Sequence, residues 1–121
     1  MLRRAFKQSG FDNIIKELLA KDEIVYAGYS AGGCVLAPSL HGYEIVDPVD
    51  ITAEDYEKEI IWEGLNIVPY AFSPHYKSDH PESADVDKEV AYMQENNIPF
   101  KTLRDGEVIV TEGDKETIFT L

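Results

Sequence analysis

An α/β domain is what this sequence predicts, on three observations. Residues 24–37, "IVYAGYSAGGCVLA", join a short apolar run to a serine set among glycines and then to small residues. A run without alternation suits a strand covered on both faces, as in a parallel sheet between helix layers. Helical spacing flanks it, in Ile14, Ile15, Leu18 and Leu19 and again in Val86, Val90 and Met93. The C-terminus instead holds three short strand-like runs, "PFKTL", "EVIVTE" and "ETIFTL", split by Asp105-Gly106 and Gly113-Asp114. Such pairs are hairpin turn signals, so a small antiparallel meander is expected there.

In chain order, "MLRRAFKQ" reads as a short helix stopped by Gly10, and Asp12 as the cap of a second helix. Ile24 to Ala27 is the first strand, with a small-residue helix after Ser30 ending near Pro38. "YEIVDPVDI" is extended or loop, since Pro48 excludes a central strand position. Residues 53–61 are assigned a helical turn or two. A strand at 67–72 breaks at Pro74, and "ESADVDKEVAYMQENN" is a helix with acids in its first turn. No repeat, low-complexity tract or interdomain linker is seen, so residues 1–121 are read as one domain.

Composition narrows the function. With 121 residues there is room for one modest core, and 44% hydrophobic residues mark a globular chain. A formal net charge of −12 repels phosphate backbones and anionic lipid, so neither nucleic acid nor a membrane surface is an expected partner. The one cysteine, Cys34, excludes an internal disulfide and reads as a packed group, which fits a reducing compartment. No apolar run approaches a membrane span, the N-terminus lacks a secretory apolar stretch, and a cytoplasmic location is expected. The histidines lack zinc-ligand spacing, "DVDKE" lacks the form of a calcium loop, and no phosphate cradle is present. No metal or cofactor is expected.

"GYSAG" matches the G-x-S-x-G nucleophile elbow. There the serine occupies a strained turn between strand and helix, and flanking glycines remove side chains that would clash. The hydroxyl points out above the sheet, and the N–H of Ala31 at the helix start is placed to stabilise an oxyanion. A plain tight turn is the competing reading. A nucleophilic serine needs a base, and reactive groups gather at the carboxyl ends of parallel strands. His75, in "AFSPHY", has that placement. His80 reads as a loop residue or a group leading into a helix, and His41 as surface. A triad also wants a carboxylate to hold the imidazole. Composition cannot choose among 23 acids: Asp105 in "LRDGE" is one candidate, against the simpler reading of a turn residue, with Glu44 and Asp47 as rivals. The order serine, histidine, acid differs from that of ordinary α/β-hydrolases, for which 121 residues are also too few.

These motifs together resemble the S51 serine peptidases, the peptidase E (aspartyl dipeptidase) group, which have the class I glutamine amidotransferase-like fold. "LRRAFKQSGFDNIIKELL" resembles the helices that lead into the family's nucleophile strand, and "GYSAGG" resembles its G-x-S-A-G motif. "IVDP" resembles a segment after the elbow helix, "FSPHY" the Pro-His-aromatic motif, and "LRDGEVIV" the stretch that carries an acid followed by glycine. The resemblance implies Ser30 as nucleophile, His75 as base and Asp105 as third member, with Glu44 the nearest equivalent of a competing acid near "YEIVDP". It implies a flavodoxin-like three-layer α/β sandwich closed by the antiparallel meander. It also implies hydrolysis of short peptides through an acyl-enzyme, without a cofactor. Selecting a substrate aspartate would require a nearby cation, for which Lys77, Lys88 and Arg104 are the local choices.

The family pattern departs at the front. Members carry further N-terminal βα units, including a strand followed by a Gly-Gly-Asn loop, so a truncated version of the fold is expected. The strand at 24–27 would then lack neighbours on one side and leave an apolar edge exposed. The oxyanion site would lose its second donor, at a typical cost on the order of 100- to 1000-fold in turnover. Self-association, or a complementing N-terminal chain, is the expected remedy. A non-catalytic interaction domain and a small esterase are the alternatives. A glutamine amidotransferase role is not expected, because the resemblance implies a cysteine at the elbow for that activity and Cys34 stands four residues beyond it.

Overall fold

A computed structural model describes all 121 residues. Two short helices open the chain. α1 (Leu2–Ser9) ends at Gly10, whose left-handed conformation (φ 75°) turns the chain directly into α2 (Phe11–Ala20). Gly10 also occupies the N-cap position of α2. Asp12 therefore lies inside the first turn rather than at the cap, and it is drawn into a 2.9 Å ion pair with Arg3. Of the apolar stripe on α2, Ile15 is fully buried and Ile14 is exposed.

The segment at 24–27 departs from expectation. It is extended, but it is no part of a sheet, and residues 24–28 make no backbone hydrogen bond on either edge. A strand is defined by its neighbours, and none lies alongside. Ile24 and Tyr26 pack against the core of Ile15, Val35 and Leu65, while Val25 is 94% exposed. Coverage on both faces is thus overturned, and the exposed apolar edge extends to both sides rather than one.

After Ser30 the helix lasts a single turn, α3 (Ala31–Cys34). Two glycines weaken it. Its continuation is taken up differently, because the carbonyls of Val35, Leu36 and Ala37 accept the N–H groups of Leu65, Ile67 and Asn66 at 2.8–3.0 Å. A 3-10 turn (Tyr43–Ile45) follows. Residues 53–61 form no helix. They run as an irregular strap whose carbonyls at Lys58 and Glu59, with that of Val49, are held by the buried guanidinium of Arg4.

β1 (Ala71–Ser73) begins later than the sequence suggests and ends, as expected, at Pro74. α4 (Ser83–Glu95) buries Val86, Val90 and Met93. Met93 joins Ala37 and Ala71 in a second core cluster. The three C-terminal runs do not make one meander. β2 (Phe100–Thr102) pairs in parallel with β1, Ala71 opposite Phe100 and Ser73 opposite Thr102. Only β3 (Glu107–Glu112) and β4 (Lys115–Thr120) are antiparallel, joined at Gly113. The crossover through α4 carries β2 back beside β1, which is the connection parallel pairing needs. The architecture is α/β, with a parallel pair, helices against it and an antiparallel hairpin at the end. No helix is long and apolar enough to cross a membrane.

Candidate active site

The elbow is built by backbone strain and by one close approach. Ser30 stands at φ 47°, ψ −125°, a conformation rare for a residue with a side chain and concentrated at functional sites. A Cβ on Gly28 would lie 2.6 Å from the Gly32 carbonyl oxygen, so only glycine fits there. The two flanking glycines look alike in the motif, but a Cβ on Gly32 would meet nothing closer than 3.6 Å. It is Gly33 that the packing requires, because a Cβ there would strike the Phe72 ring at 2.4 Å. Tyr26 Oη donates to Gly32 O at 2.8 Å and ties the extended segment to the turn. The Ser30 carbonyl accepts from the N–H groups of Gly33 and Cys34, whereas the N–H of Ala31 has no acceptor within the chain. With a helix of one turn behind it, that N–H acts as a single donor rather than as the end of a long dipole.

The parallel pairing of β1 and β2 explains the second half of the site. Their carboxyl ends lie side by side, so the loop after Ser73 and the loop after Thr102 meet. Tyr76 N–H donates to Leu103 O at 3.0 Å, and Asp105 N–H donates to Ser78 Oγ at 2.8 Å. These contacts bring His75 Nδ1 to 2.6 Å from Asp105 Oδ1. An ionised carboxylate only accepts, so Nδ1 carries the proton in this contact, and in the neutral ring Nε2 keeps a lone pair. The His75 side chain is 17% exposed and that of Asp105 48%. His75 itself has φ 60°.

Ser30, Ala31 and His75 line one cavity of about 310 Å³, together with Cys34, Glu82 and Glu89. The rival acids are placed differently. Glu44 lines the same cavity but turns its carboxylate to Gly42 N–H at 2.6 Å. Asp47 lines it too, with no hydrogen bond to His75. Burial pushes the Cys34 thiol up, and its Sγ reaches Phe72 O at 3.4 Å, so it is a packed and unreactive group. Burial also raises Glu89 to about 7, against a hydrogen bond from Ser73 that lowers it. The nearby charges of Asp47, Glu44 and Glu82 add to the rise.

Three features escaped sequence reasoning. Arg3 and Arg4 line the cavity, whereas Lys77, Lys88 and Arg104 do not. Arg3 is paired with Asp12, and Arg4 is committed to the strap carbonyls. Their signal is faint, since α1 lies far from the elbow in sequence. The third is His80, whose ring stacks on His75 at 3.7 Å between centroids and 9° between planes. His41, expected at the surface, is exposed and stacks on Trp62. His75, His80 and Glu82 offer ligand atoms within 4.8 Å of one another. Imidazole lone pairs lie in the ring plane, so two parallel stacked rings do not aim at one ion until a ring turns.

The chain is an α/β fold in which a parallel pair ends in a His–Asp couple, and His75 lines the same cavity as Ser30 on its strained turn. The chain belongs to Peptidase family S51, whose profile matches residues 1–119. It is 30% identical over 101 residues to Peptidase E of Streptomyces coelicolor (strain ATCC BAA-471 / A3(2) / M145), covering 77% of this chain and 37% of that one. A 1.5 Å crystal structure of a protein from Listeria monocytogenes EGD-e, assigned as a peptidase E, superposes with a TM-score of 0.80 at 23% identity. That match covers 99% of this chain and 54% of the Listeria chain. The chain thus spans little more than a third of the curated relative and about half of the solved one.

Proposed function

We propose that this chain carries the catalytic portion of a serine-type hydrolase of short peptides, with Ser30 as nucleophile, His75 as base and Asp105 as the carboxylate that orients it. The observation that supports it most is the 2.6 Å His75–Asp105 contact beside a cavity that also takes in Ser30. In this reading Ser30 Oγ attacks the scissile carbonyl while His75 Nε2 takes its proton. The Ala31 N–H donates to the oxyanion. Collapse breaks the C–N bond, and the proton passes from Nε2 to the departing amine. Water then attacks the acyl-enzyme ester, its proton goes to His75, and the carboxylic acid leaves as Ser30 is reprotonated.

The partner of residues 24–28 belongs to the same proposal. Their free backbone groups are supplied by strands of a second copy or of a complementing N-terminal chain, which also brings the second oxyanion donor. A cytoplasmic setting is retained with it, on the strength of the single unpaired cysteine.

A fluorophosphonate probe tests the reading. Labelling at Ser30, lost in Ser30→Ala and slowed in His75→Ala, is the expected result, followed by release of amino acids from dipeptides. Labelling with turnover of short esters and not of dipeptides would favour an esterase. The absence of labelling in a folded chain, alone and with a complementing N-terminal chain, would favour a non-catalytic interaction domain. The unpaired strand before Ser30 is the observation that keeps that second reading in view.

A further inference from the structure

We infer that His80 is a positioning residue for the His75 base, clamping the face of its ring while Asp105 holds the edge; this rests on the triad reading above. A single hydrogen bond from Nδ1 to Asp105 Oδ1 restrains rotation of the imidazole about its Cβ–Cγ bond, but from one edge only. The carboxylate is itself nearly half exposed, so bulk water competes for it. Something must hold the ring's plane if Nε2 is to stay aimed into the cavity. The His80 ring does this, lying parallel to His75 at 3.7 Å and 9°.

The loop is shaped to deliver that stack. His75 and Lys77 both stand in the left-handed region, at φ 60° and 49°, and Ser78 N–H returns to His75 O at 3.3 Å. This tight turn folds position 80 back over position 75. His80 is then fixed from the other side, where the start of α4 meets it. Glu82 N–H donates to His80 Nδ1 at 3.2 Å, and Ser83 N–H donates to His80 O at 3.0 Å. An Nδ1 that accepts carries no proton, so in this arrangement His80 is the neutral Nε2–H tautomer. A neutral flat ring sets no second positive charge against the imidazolium that His75 becomes when it takes the Ser30 proton. Side-chain exposures of 17% for His75 and 31% for His80 agree with one ring sheltering the other.

The test compares His80→Ala, which removes the ring, with His80→Phe, which restores a flat neutral one. Peptide hydrolysis in His80→Ala is expected to lose about 10- to 100-fold in kcat with KM within about twofold, as for a misaimed catalytic group. His80→Phe is expected to recover to within about threefold of the parent. Long-range ¹H–¹⁵N spectra of the imidazoles give a readout that needs no substrate. They should show a single Nδ1–H tautomer at His75 in the parent and in His80→Phe, and a mixture in His80→Ala. Parental kcat in His80→Ala, or His80→Phe no better than His80→Ala, would overturn the proposal. If the parent neither hydrolyses peptides nor labels at Ser30, alone and with a complementing N-terminal chain, the triad reading fails by itself. The spectra still decide His80's role, since a single His75 tautomer in His80→Ala would refute the clamp. Should His80→Ala not fold, His80→Gln takes its place, because it keeps an acceptor for Glu82 N–H and lacks the ring.

Discussion

Ser73 Oγ donates a 2.5 Å hydrogen bond to Glu89 Oε1, both groups buried, linking the last residue of β1 to the middle of α4. Glu89 also lines the cavity of Ser30 and His75. Burial is the main reason its carboxyl is raised to about 7, and the Ser73 bond offsets only part of that rise. The folded state then holds a proton that the unfolded chain has released. Its stabilising effect is fully present below the ordinary carboxyl range and is lost as pH climbs through about 7. Glu89→Gln should therefore be close to the parent in Tm at pH 5 and more stable than it at pH 8. Thermal melts across that range check the sign, and a difference that shrinks with rising pH would contradict it.

Asp105 and Glu44 are separated by geometry, and substitution should separate them by rate. Asp105→Asn keeps the shape but removes the charge facing His75 Nδ1, 2.6 Å away. A fall of about 100- to 1000-fold in Ser30 labelling rate is expected, below the loss seen with a buried triad acid because this one is half exposed. Glu44→Gln, with its carboxylate already turned to Gly42 N–H, should stay within about threefold of the parent. Probe-labelling kinetics on the two variants decide.

The elbow glycines make a stability prediction. Gly33→Ala drives a methyl into the Phe72 ring and should cost about 1–3 kcal/mol. Gly32→Ala meets only ordinary contact and gains helix propensity, so it should be neutral or stabilising by up to about 1 kcal/mol. Urea denaturation midpoints distinguish the two.

Arg4 holds the irregular strap. Its guanidinium donates to Glu59 O at 2.8 Å, Val49 O at 3.0 Å and Lys58 O at 3.1 Å. Arg4→Met keeps the stem and removes these bonds, for an expected loss of about 2–3 kcal/mol. Lys7 makes only long, exposed contacts to Glu57 and Glu59, and Lys7→Met should move stability by less than about 0.5 kcal/mol. The same denaturation series measures both.

What the sequence made legible was local. The spacing of Val86, Val90 and Met93 marks α4 because one face of a helix is written within a few residues, and Gly10 stops α1 for an equally local reason. The run at 100–102 reads as a hairpin strand in the sequence because its partner, β1, lies a helix away, and a turn signal at Asp105-Gly106 resembles a hairpin whichever strand precedes it. The strap at 53–61 carries a helix-like pattern but is held by Arg4, some fifty residues earlier. In the site, Ser30, His75 and Asp105 stood out because each follows an apolar run at a turn. His80 did not, since a stack between two rings five positions apart leaves no periodic trace.

Residues 24–28, free on both edges, lead directly into the turn that carries Ser30. Five successive amides with no intrachain acceptor should exchange with deuterated solvent nearly as fast as those of an unstructured peptide, although Ser30, two positions further on, has a strained backbone and lines the cavity. Ser30 thus follows a stretch whose amides the chain itself leaves unprotected. A polypeptide docked along residues 24–28 should slow that exchange and stiffen the backbone that leads into Ser30.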